Sequence, residues 1–461
     1  MTVFVLFGAT GDLARRMVLP AFYTLAIEGL LPEKWILVGN GRGDVSHEDF
    51  RGRVREALEE FGPAPGKGPW KEFASRLRFA GGGFNSDSPG SLLDVIAEAR
   101  KAVGDDNDQL VHYLAIPPVA FPEVTKGLGA HGLAAGSRVV YEKPFGTSPD
   151  EFRKLNRQVH RVLDESQVYR IDHFLGKEAT QQLHAMRFAN EAVGALWNNK
   201  HVESVQIDVP ETLGVANRAE FYDGTGAVLD MLVTHLFQVA AEVAMEPPES
   251  LDAAGLQSAR ESVIRRFRPI DPAEVVLGQY SGYREIKGIA PKSRTDTYVA
   301  ARLWIDTPRW RGVPFLLRTG KRMAASDQRV SLVLRTPSGP FKKLPAQANV
   351  LSFGLSGDGE VNLSLLAKRP GIADDLEPAS VSLPLGQVPE ADPLPPYSRL
   401  IHDVLIGDRA LFTRPDGLSS AWRAIQPLLD APPRPVTYPA GSWGPAAARK
   451  LAAPHRWLLG Q

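Results

Sequence analysis

The chain has 461 residues, of which 43% are hydrophobic and 23% are charged, a composition typical of a globular protein large enough for two or three domains. Lysine plus arginine equal aspartate plus glutamate at 53 each, so no net charge would attract the chain to nucleic acid or to an anionic membrane. The absence of cysteine excludes disulfides, thiolate nucleophiles and cysteine-bound metals.

The first residues, MTVFVLFGATGDL, contain no basic region and only a short apolar run. This pattern predicts a first β-strand rather than a signal peptide, and we therefore expect a cytoplasmic protein. Residues 228–245 form the most apolar long segment, but Asp230, His235, Gln238 and Glu242 interrupt it. A membrane span is therefore not expected.

The order of predicted elements changes along the chain. The runs TVFVLF, WILVG, LVHYLAI and SRVVYEKP are typical of strands separated by amphipathic helices, a βαβ pattern that predicts a parallel sheet. After about residue 170 come VESVQIDVP, TYVAARLWID, VPFLLRTG, RVSLVLRT and EVNLSLLAK, which mostly lack intervening helices and predict an antiparallel sheet. The proline-rich stretches 389–396 and 432–439 are predicted to be surface excursions. We expect an α/β domain over residues 1–175 and an α+β domain over residues 176–461.

The motif GATGDLA places Gly8, Gly11 and Ala14 directly after the first strand and before a helical pattern. Small residues here allow the backbone to approach a pyrophosphate at a helix N-terminus, although a simple glycine turn would give the same letters. The second strand ends in VGNGRG, which has no acidic residue to bind a ribose 2′-hydroxyl. Arg42 is available there for a 2′-phosphate, which favours NADP over NAD, the alternative being a solvated surface arginine.

Two further segments carry ionisable residues. In YEKPFG, Lys143 precedes a proline at the end of a predicted strand, where a cis peptide bond is possible. The lysine would then face the crevice at the carboxyl ends of the strands. From this stretch alone, an exposed loop lysine is the simpler interpretation. In residues 228–245, an apolar stripe with helical spacing leaves Asp230, Thr234, His235 and Gln238 on the opposite face. This pattern disfavours a core histidine and leaves a solvated face or a functional site open.

Taken together, the motifs resemble the glucose-6-phosphate dehydrogenase family. The resemblance extends over nearly the whole chain, through GATGDLA, YLAIPP, YEKPFG, YRIDHFLGKE, VQIDVPETLGV, FYDGTGAVLDMLVTH, VPFLLRTGKR and YPAGSWGP. It implies an N-terminal Rossmann domain with a parallel sheet and a C-terminal domain with a large, mainly antiparallel sheet. It also implies that β-D-glucose 6-phosphate is oxidised at C1 to the 1,5-lactone with hydride transfer to NADP, as in the oxidative pentose phosphate pathway.

The resemblance implies roles for individual residues. His235 is the expected catalytic base, which Asp172 orients, and His173 and Lys177 are the expected phosphate ligands. The remaining implied substrate residues are Lys143, Glu211, Asp230 and Lys321. The implied cofactor-binding residues are Gly8, Gly11, Asp12, Leu13, Arg42, Ala115 and Lys143. No metal site is predicted, and the family's second domain implies a homodimer or a dimer of dimers.

The sequence also departs from the family pattern. Phe174 stands where many members have tyrosine, Ser326 occupies a position that is often basic, and PPYSRLIHDVL differs from the usual DAYERLLLDVL type of segment. These departures keep open a related NADP-dependent dehydrogenase of another hexose or hexose phosphate. A non-catalytic NADP-binding regulator is disfavoured, because Asp172 and His235 are both present.

Overall fold

The computed structural model describes residues 2–104, 109–215, 218–341, 344–345, 349–357, 359–372, 374–390 and 392–460. They form two compact units. Unit 1 contains residues 1–176 together with two later segments, Ser250–Gln257 and Leu394–Pro415. The division expected from the sequence, between residues 175 and 176, does not include these two segments. Unit 2 contains Lys177–Glu249, Ser258–Pro393 and Asp416–Gln461.

Unit 1 is built on a six-stranded sheet in which every pairing is parallel. Its strands are β1 Thr2–Phe7, β2 Trp35–Asn40, β3 Leu77–Ala80, β4 Gln109–Leu114, β5 Arg138–Tyr141 and β6 Val168–Arg170. The strand order β3-β2-β1-β4-β5-β6 is that of a Rossmann fold. Every residue of β1 and β2 is buried, as expected for strands covered on both faces.

The helices described in unit 1 connect consecutive strands, except the last one in the chain. They are α1 Leu19–Ile27, α2 His47–Phe61, α3 Lys67–Ser75, α4 Leu92–Val103, α5 Phe121–Ala130, α6 Pro149–Val159 and α12 Pro396–Ile406. Helix α6 begins where the local chemistry predicts, because the Ser148 hydroxyl accepts the Glu151 N–H (3.2 Å) and Pro149 occupies the first turn. Helix α12 comes from the last quarter of the chain, and its Leu400, Ile401 and Val404 join the apolar core of unit 1.

Unit 2 is built on a nine-stranded sheet. Its strands are β7 Val202–Pro210, β8 Val275–Tyr280, β9 Tyr298–Leu303, β10 Phe315–Gly320, β11 Arg329–Leu334, β12 Val350–Gly354, β13 Glu360–Lys368, β14 Leu376–Pro384 and β15 Val436–Tyr438. Their order is β14-β13-β12-β11-β7-β10-β9-β8-β15. Strand β10 pairs in parallel with β7, and β15 with β8, whereas the other pairings are antiparallel.

The helices of unit 2 are α7 Glu178–Phe188, α8 Glu191–Leu196, α9 Ala219–Asp223, α10 Phe237–Ala244, α13 Pro415–Asp430 and α14 Ala447–Ala452, while α11 Ala253–Ile264 begins in unit 1. A π-helical segment, Val228–Leu236, runs directly into α10. Short 3₁₀ turns occur at Pro118–Ala120, Glu165–Gln167, Pro272–Glu274, Tyr283–Glu285 and Leu385–Gln387. None of the described helices combines the length and apolarity needed to cross a membrane.

Most of residues 432–439 are exposed, as predicted for a surface excursion, but the stretch also contributes a strand that the prediction did not include. Residues 436–438 form β15 at the edge of the large sheet, and the Tyr438 side chain is fully buried. The prolines around this stretch suggested a loop, but a short edge strand tolerates flanking prolines because little of its backbone pairs.

Candidate functional site

The first strand of unit 1 ends in a loop that requires glycine. Gly8 has a φ of +73°, and a Cβ atom on it would lie 2.4 Å from the carbonyl oxygen of Ala115, which follows β4. The Gly11 N–H donates to the Gly8 carbonyl oxygen (2.8 Å), which closes the turn. The structure therefore brings together Gly8, Gly11 and Ala115, three of the residues predicted to bind the cofactor.

The glycine loop leads into a helix, as the motif predicts. Asp12 is exposed and Leu13 is half-buried, and a π-helical turn at Ala14–Val18 continues into α1. Unpaired N–H groups at a helix start attract a phosphate, and the absence of side chains at Gly8 and Gly11 lets it approach the backbone. This loop therefore fits the pyrophosphate of a dinucleotide.

The residues at the end of β2 are those expected to face the adenosine ribose of a dinucleotide. Asn40 is buried, and its side-chain amide donates to the Ala80 carbonyl oxygen (3.1 Å), so this position has a structural use. Arg42 follows on the surface as an exposed side chain. An exposed guanidinium at this point fits a 2′-phosphate.

Lys143 follows β5, and its peptide bond to Pro144 is cis. The preceding residue, Glu142, is buried and accepts a hydrogen bond from the Tyr113 hydroxyl (2.5 Å). Burial raises the pKa of Glu142, while the Tyr113 hydrogen bond and the Lys143 charge act in the opposite direction. The sequence analysis missed Glu142, because nothing in YEKPFG distinguishes a buried carboxylate from an exposed one.

The decapeptide YRIDHFLGKE starts in β6 and ends at the first residue of α7. Asp172 is buried, and one of its carboxylate oxygens accepts the Phe174 N–H (2.9 Å), which fixes the side chain against its own backbone. The His173 ring is half-buried and stacks on Tyr397 of α12, with centroids 6.2 Å apart and planes at 19°. Sequence reasoning missed Tyr397, which is more than 220 residues away in the chain.

Arg170 has a structural task in the same decapeptide. Its buried guanidinium pairs with both carboxylate oxygens of Glu165 (2.8 and 3.0 Å) and lies 4.7 Å from the centre of the Phe145 ring. A buried arginine needs such partners to offset its desolvation. Part of the charge in this segment therefore stabilises unit 1.

In unit 2, two predicted substrate residues come together at the ends of neighbouring parallel strands. Glu211 follows β7, Lys321 follows β10, and the two side chains form an ion pair. The Lys321 ammonium lies 5.6 Å from the centre of the Tyr222 ring. An ammonium beside a carboxylate offers a donor and an acceptor in one place, which matches a sugar hydroxyl.

Tyr222 belongs to the same surroundings, although the sequence analysis did not select it. Its side chain is buried, and burial raises its pKa well above the usual value. The negative charges of Asp230, Asp296 and Glu211 raise this pKa further. The Tyr222 hydroxyl is therefore a neutral donor in a strongly acidic neighbourhood.

Asp230 and His235 lie on the π-helical segment Val228–Leu236, which packs against β9 and β10. Asp230 is half-buried, but His235 is fully buried. His235 and Gln238 are buried, so the solvated face that the pattern left open does not apply to these two residues. A spacing of 100° per residue assumes an α-helix, whereas a π-helix bonds five residues apart and rotates the later side chains to other directions. The α10 helix that follows is buried on all sides.

Lys177 directly precedes α7 and is half-buried. Its ammonium donates to the Gln328 side-chain oxygen (2.7 Å) and to the Leu355 carbonyl oxygen (2.9 Å). Ser326 lies two residues before Gln328, and its hydroxyl oxygen accepts the Thr212 N–H (3.1 Å). The sequence analysis noted that position 326 is often basic in the family that the chain resembles. Here the Ser326 hydroxyl connects its own loop to the loop that follows Glu211.

Two family models match the chain. The model described as "Glucose-6-phosphate dehydrogenase, NAD binding domain" matches residues 5–182, and "Glucose-6-phosphate dehydrogenase, C-terminal domain" matches residues 184–458. The chain belongs to the glucose-6-phosphate dehydrogenase family. The family and fold class expected from the sequence are thereby confirmed, and the chain is an oxidoreductase that uses a pyridine nucleotide.

Known members of the family align with almost the full chain. Glucose-6-phosphate 1-dehydrogenase 2 of Mycobacterium tuberculosis is 38% identical over 472 residues, which cover 97% of this chain and 92% of that protein. Glucose-6-phosphate 1-dehydrogenase of Gluconobacter oxydans is 36% identical over 477 residues, which cover 98% and 96%.

Solved structures of the family agree with the fold. Glucose-6-phosphate 1-dehydrogenase from Mycobacterium avium superposes with a TM-score of 0.87 at 34% identity, over 100% of this chain and 99% of that one. A glucose-6-phosphate dehydrogenase solved in complex with its substrate glucose-6-phosphate superposes with a TM-score of 0.92 at 30% identity, over 100% and 98%.

Proposed function

We propose that the protein oxidises the C1 hydroxyl of β-D-glucose 6-phosphate to 6-phosphoglucono-1,5-lactone, with NADP as the hydride acceptor. The observation that carries the proposal is the match of the whole chain to a glucose-6-phosphate dehydrogenase solved with its substrate. The Glu211–Lys321 ion pair beside Tyr222 supports it, because this group has the donors and acceptors that sugar hydroxyls need.

His235 is the proposed base. Loss of hydride leaves positive charge at C1, and this charge is relieved when the C1 hydroxyl loses its proton to a base. Histidine is the side chain whose usual pKa suits that transfer near neutral pH. Asp172 is proposed to orient and polarise the imidazole, a pairing taken from the family resemblance.

The other predicted residues are proposed to hold the substrate. His173 and Lys177 would bind the phosphate dianion, which forms strong hydrogen bonds with charged donors. Glu211 and Asp230 would accept hydrogen bonds from sugar hydroxyls, and Lys143 and Lys321 would donate to sugar oxygens.

The cofactor is proposed to bind at the glycine loop of unit 1. Gly8, Gly11, Asp12 and Leu13 would hold the pyrophosphate, and Ala115 and Lys143 would lie on the nicotinamide side. When bound, the nicotinamide accepts the hydride from C1. NADP is preferred to NAD, because Arg42 is an exposed cation and β2 ends without a carboxylate. A homodimer or dimer of dimers and a cytoplasmic location stay predictions.

A related dehydrogenase acting on another hexose or hexose phosphate is the second candidate. Phe174 is buried and has no hydroxyl, and Ser326 carries no charge, so two expected phosphate contacts are absent. This difference favours a substrate with a weaker need for phosphate recognition.

The test is a spectrophotometric assay of NADP reduction by the purified full chain with glucose 6-phosphate, mannose 6-phosphate, galactose 6-phosphate and glucose. We expect the highest kcat/KM with glucose 6-phosphate. A higher kcat/KM with another sugar would replace the proposal by the second candidate. Absence of NADP and NAD reduction with all four sugars would contradict both.

A further inference from the structure

A two-residue junction in unit 2 contacts both the segment that contains His235 and the backbone of Lys321. We propose that Asp296 and Thr297, here called the 296–297 clamp, are positioning residues that hold these two parts of the site in fixed relation. The inference rests on the proposed function, because it assigns the clamp to the same reaction. Sequence analysis selected neither residue.

The Asp296 arm holds the start of the π-helical segment. The Asp296 carbonyl oxygen accepts the Ala227 N–H (2.8 Å), and its carboxylate accepts the Val228 N–H (2.8 Å). The first N–H groups of a helical segment have no partner within the segment, so an external acceptor decides where it begins. Asp230 follows two residues after Val228, and His235 follows five residues after Asp230. The position of the carboxylate therefore sets the position of both side chains.

The chain around this contact leaves little room for adjustment. Gly226 has a φ of +69°, and a Cβ atom on it would lie 2.6 Å from a carboxylate oxygen of Asp296. Glycine is thus required both by the backbone conformation and by the close approach of the carboxylate. The Asp296 carboxylate therefore contacts the chain at a position where only glycine fits.

The Thr297 arm holds the lysine. The Thr297 carbonyl oxygen accepts the Lys321 N–H (2.8 Å), which extends the β9–β10 ladder beyond the last paired residues. The buried Tyr438 hydroxyl contacts the Lys321 carbonyl oxygen (2.6 Å) and the Thr297 hydroxyl (3.1 Å). Thr297 and Tyr438 therefore fix both the N–H and the carbonyl group of Lys321. Thr297 directly follows Asp296, which anchors the start of the His235 segment.

The acceptor atom matters more than the charge in this arrangement. Burial raises the pKa of Asp296 to about 6, while the Val228 and Ala227 N–H groups act against this rise. The side chain is thus partly neutral in mild acid, yet an uncharged oxygen still accepts the Val228 N–H. An asparagine at this position keeps that oxygen, whereas an alanine removes it.

The experiment compares D296A and D296N in the full chain. D296A is expected to speed amide hydrogen exchange in peptides covering residues 226–236 and to lower kcat for glucose 6-phosphate by roughly 10- to 100-fold, as small displacements of reacting groups do. Its KM for NADP should stay within about twofold, because the clamp contacts described above are all with residues of unit 2. D296N should keep slow exchange and lie within about threefold of the wild-type kcat.

The matched control is D271A. Asp271 is exposed, and its carboxylate accepts the Ala273 N–H (2.9 Å) at the start of another short helix, so the chemistry is the same without a link to the site. This variant should have wild-type kcat. A folded D296A with wild-type kcat would overturn the inference, as would a D296N variant as impaired as D296A.

A second pair of variants covers the case in which D296A does not fold. G226A should displace the carboxylate and lower kcat, and Y438F should mainly raise KM for glucose 6-phosphate by loosening Lys321. Wild-type kinetics in both would overturn the clamp. A wild-type chain that does not oxidise glucose 6-phosphate would contradict the proposed function. Independently of that result, unchanged amide hydrogen exchange in residues 226–236 of G226A would contradict the clamp.

Discussion

Glu211 and Lys321 form an ion pair at the carboxyl ends of two neighbouring parallel strands. Both side chains are largely buried, with exposed fractions of 26% and 14%. Shielding from water increases the Coulomb attraction within the pair, and each partner keeps the other from being an uncompensated buried charge. The pair is therefore well placed to exchange part of its mutual contact for sugar hydroxyls.

The first prediction concerns Lys321. Replacing it with methionine keeps the length of the side chain and removes the charged donor, so KM for glucose 6-phosphate should rise by roughly 10-fold or more, as for one lost charged hydrogen bond. KM for NADP should not change. The control is R268M, which breaks the half-exposed Arg268–Asp306 pair (2.6 Å) and should alter neither constant. An equal rise in both KM values would contradict a role at the sugar.

The second prediction concerns the phosphate. Lys177 is held by Gln328 and the Leu355 carbonyl oxygen, so its ammonium has a fixed position. K177A should raise KM for glucose 6-phosphate by about 10-fold or more and leave kcat/KM for free glucose unchanged, because only the phosphorylated sugar has a dianion to bind. The exposed Lys200 provides the control variant K200A. A parallel loss with both sugars would show that Lys177 acts on the fold or on the hexose ring.

The third prediction concerns the cofactor. R42A removes the exposed cation after β2, so KM for NADP should rise by about 10-fold while KM for NAD stays nearly the same. The measurement is a pair of saturation curves at fixed glucose 6-phosphate. R153A, at an exposed arginine of the same unit, should affect neither cofactor. Equal losses with NAD and NADP would place recognition of the 2′-phosphate elsewhere.

The sequence predicted the parts of the fold that depend on local pattern. The run TVFVLF is β1 from end to end, and the glycine loop adopts the positive φ at Gly8 that its motif requires. The parallel pairing of the first sheet follows from the βαβ pattern. Such features are readable because neighbouring residues determine them.

Features that depend on residues distant in the chain could not be predicted from the sequence. The stacking of Tyr397 on His173 requires α12 to pack with unit 1, and nothing local to PPYSRLIHDVL indicates this. The contact of Tyr438 with Lys321 requires β15 to join the sheet, although its prolines suggested a loop. Burial of His235 was missed for another reason, because the π-helical hydrogen bonding invalidates an α-helical wheel.

The fourth prediction concerns the base. H235N keeps much of the side-chain shape and removes the proton acceptor, so kcat should fall by roughly 10²- to 10⁴-fold with KM values largely retained. D172N should lose less, since the histidine remains. H131N is the control, at a histidine whose ring contacts the Asn85 carbonyl oxygen in unit 1. Near-normal turnover in H235N would refute the assigned mechanism.

The fifth prediction concerns pH and stability at a buried carboxylate. Glu242 in α10 pairs with Arg260 of α11 and accepts a hydrogen bond from His184 of α7 (2.6 Å), and its side chain is 1% exposed. Burial alone would raise the pKa of Glu242, but Arg260 and His184 outweigh burial and lower the pKa to about 2. These two contacts thus join α7 and α11 to α10, the helix that follows the His235 segment.

Because the folded-state pKa of Glu242 is depressed, its contribution to stability is present above the unfolded pKa of about 4.3 and is lost as pH falls towards 2. E242Q should therefore lower the free energy of unfolding at pH 7 by about 3 kcal/mol, and the difference from wild type should shrink below pH 4. Urea unfolding at pH 7 and pH 3 measures it. D306N, at the half-exposed Arg268–Asp306 pair of the same unit, should leave stability nearly unchanged at either pH. A loss in E242Q that is equally large at both pH values would mean that packing, rather than the charge of Glu242, holds the three helices together.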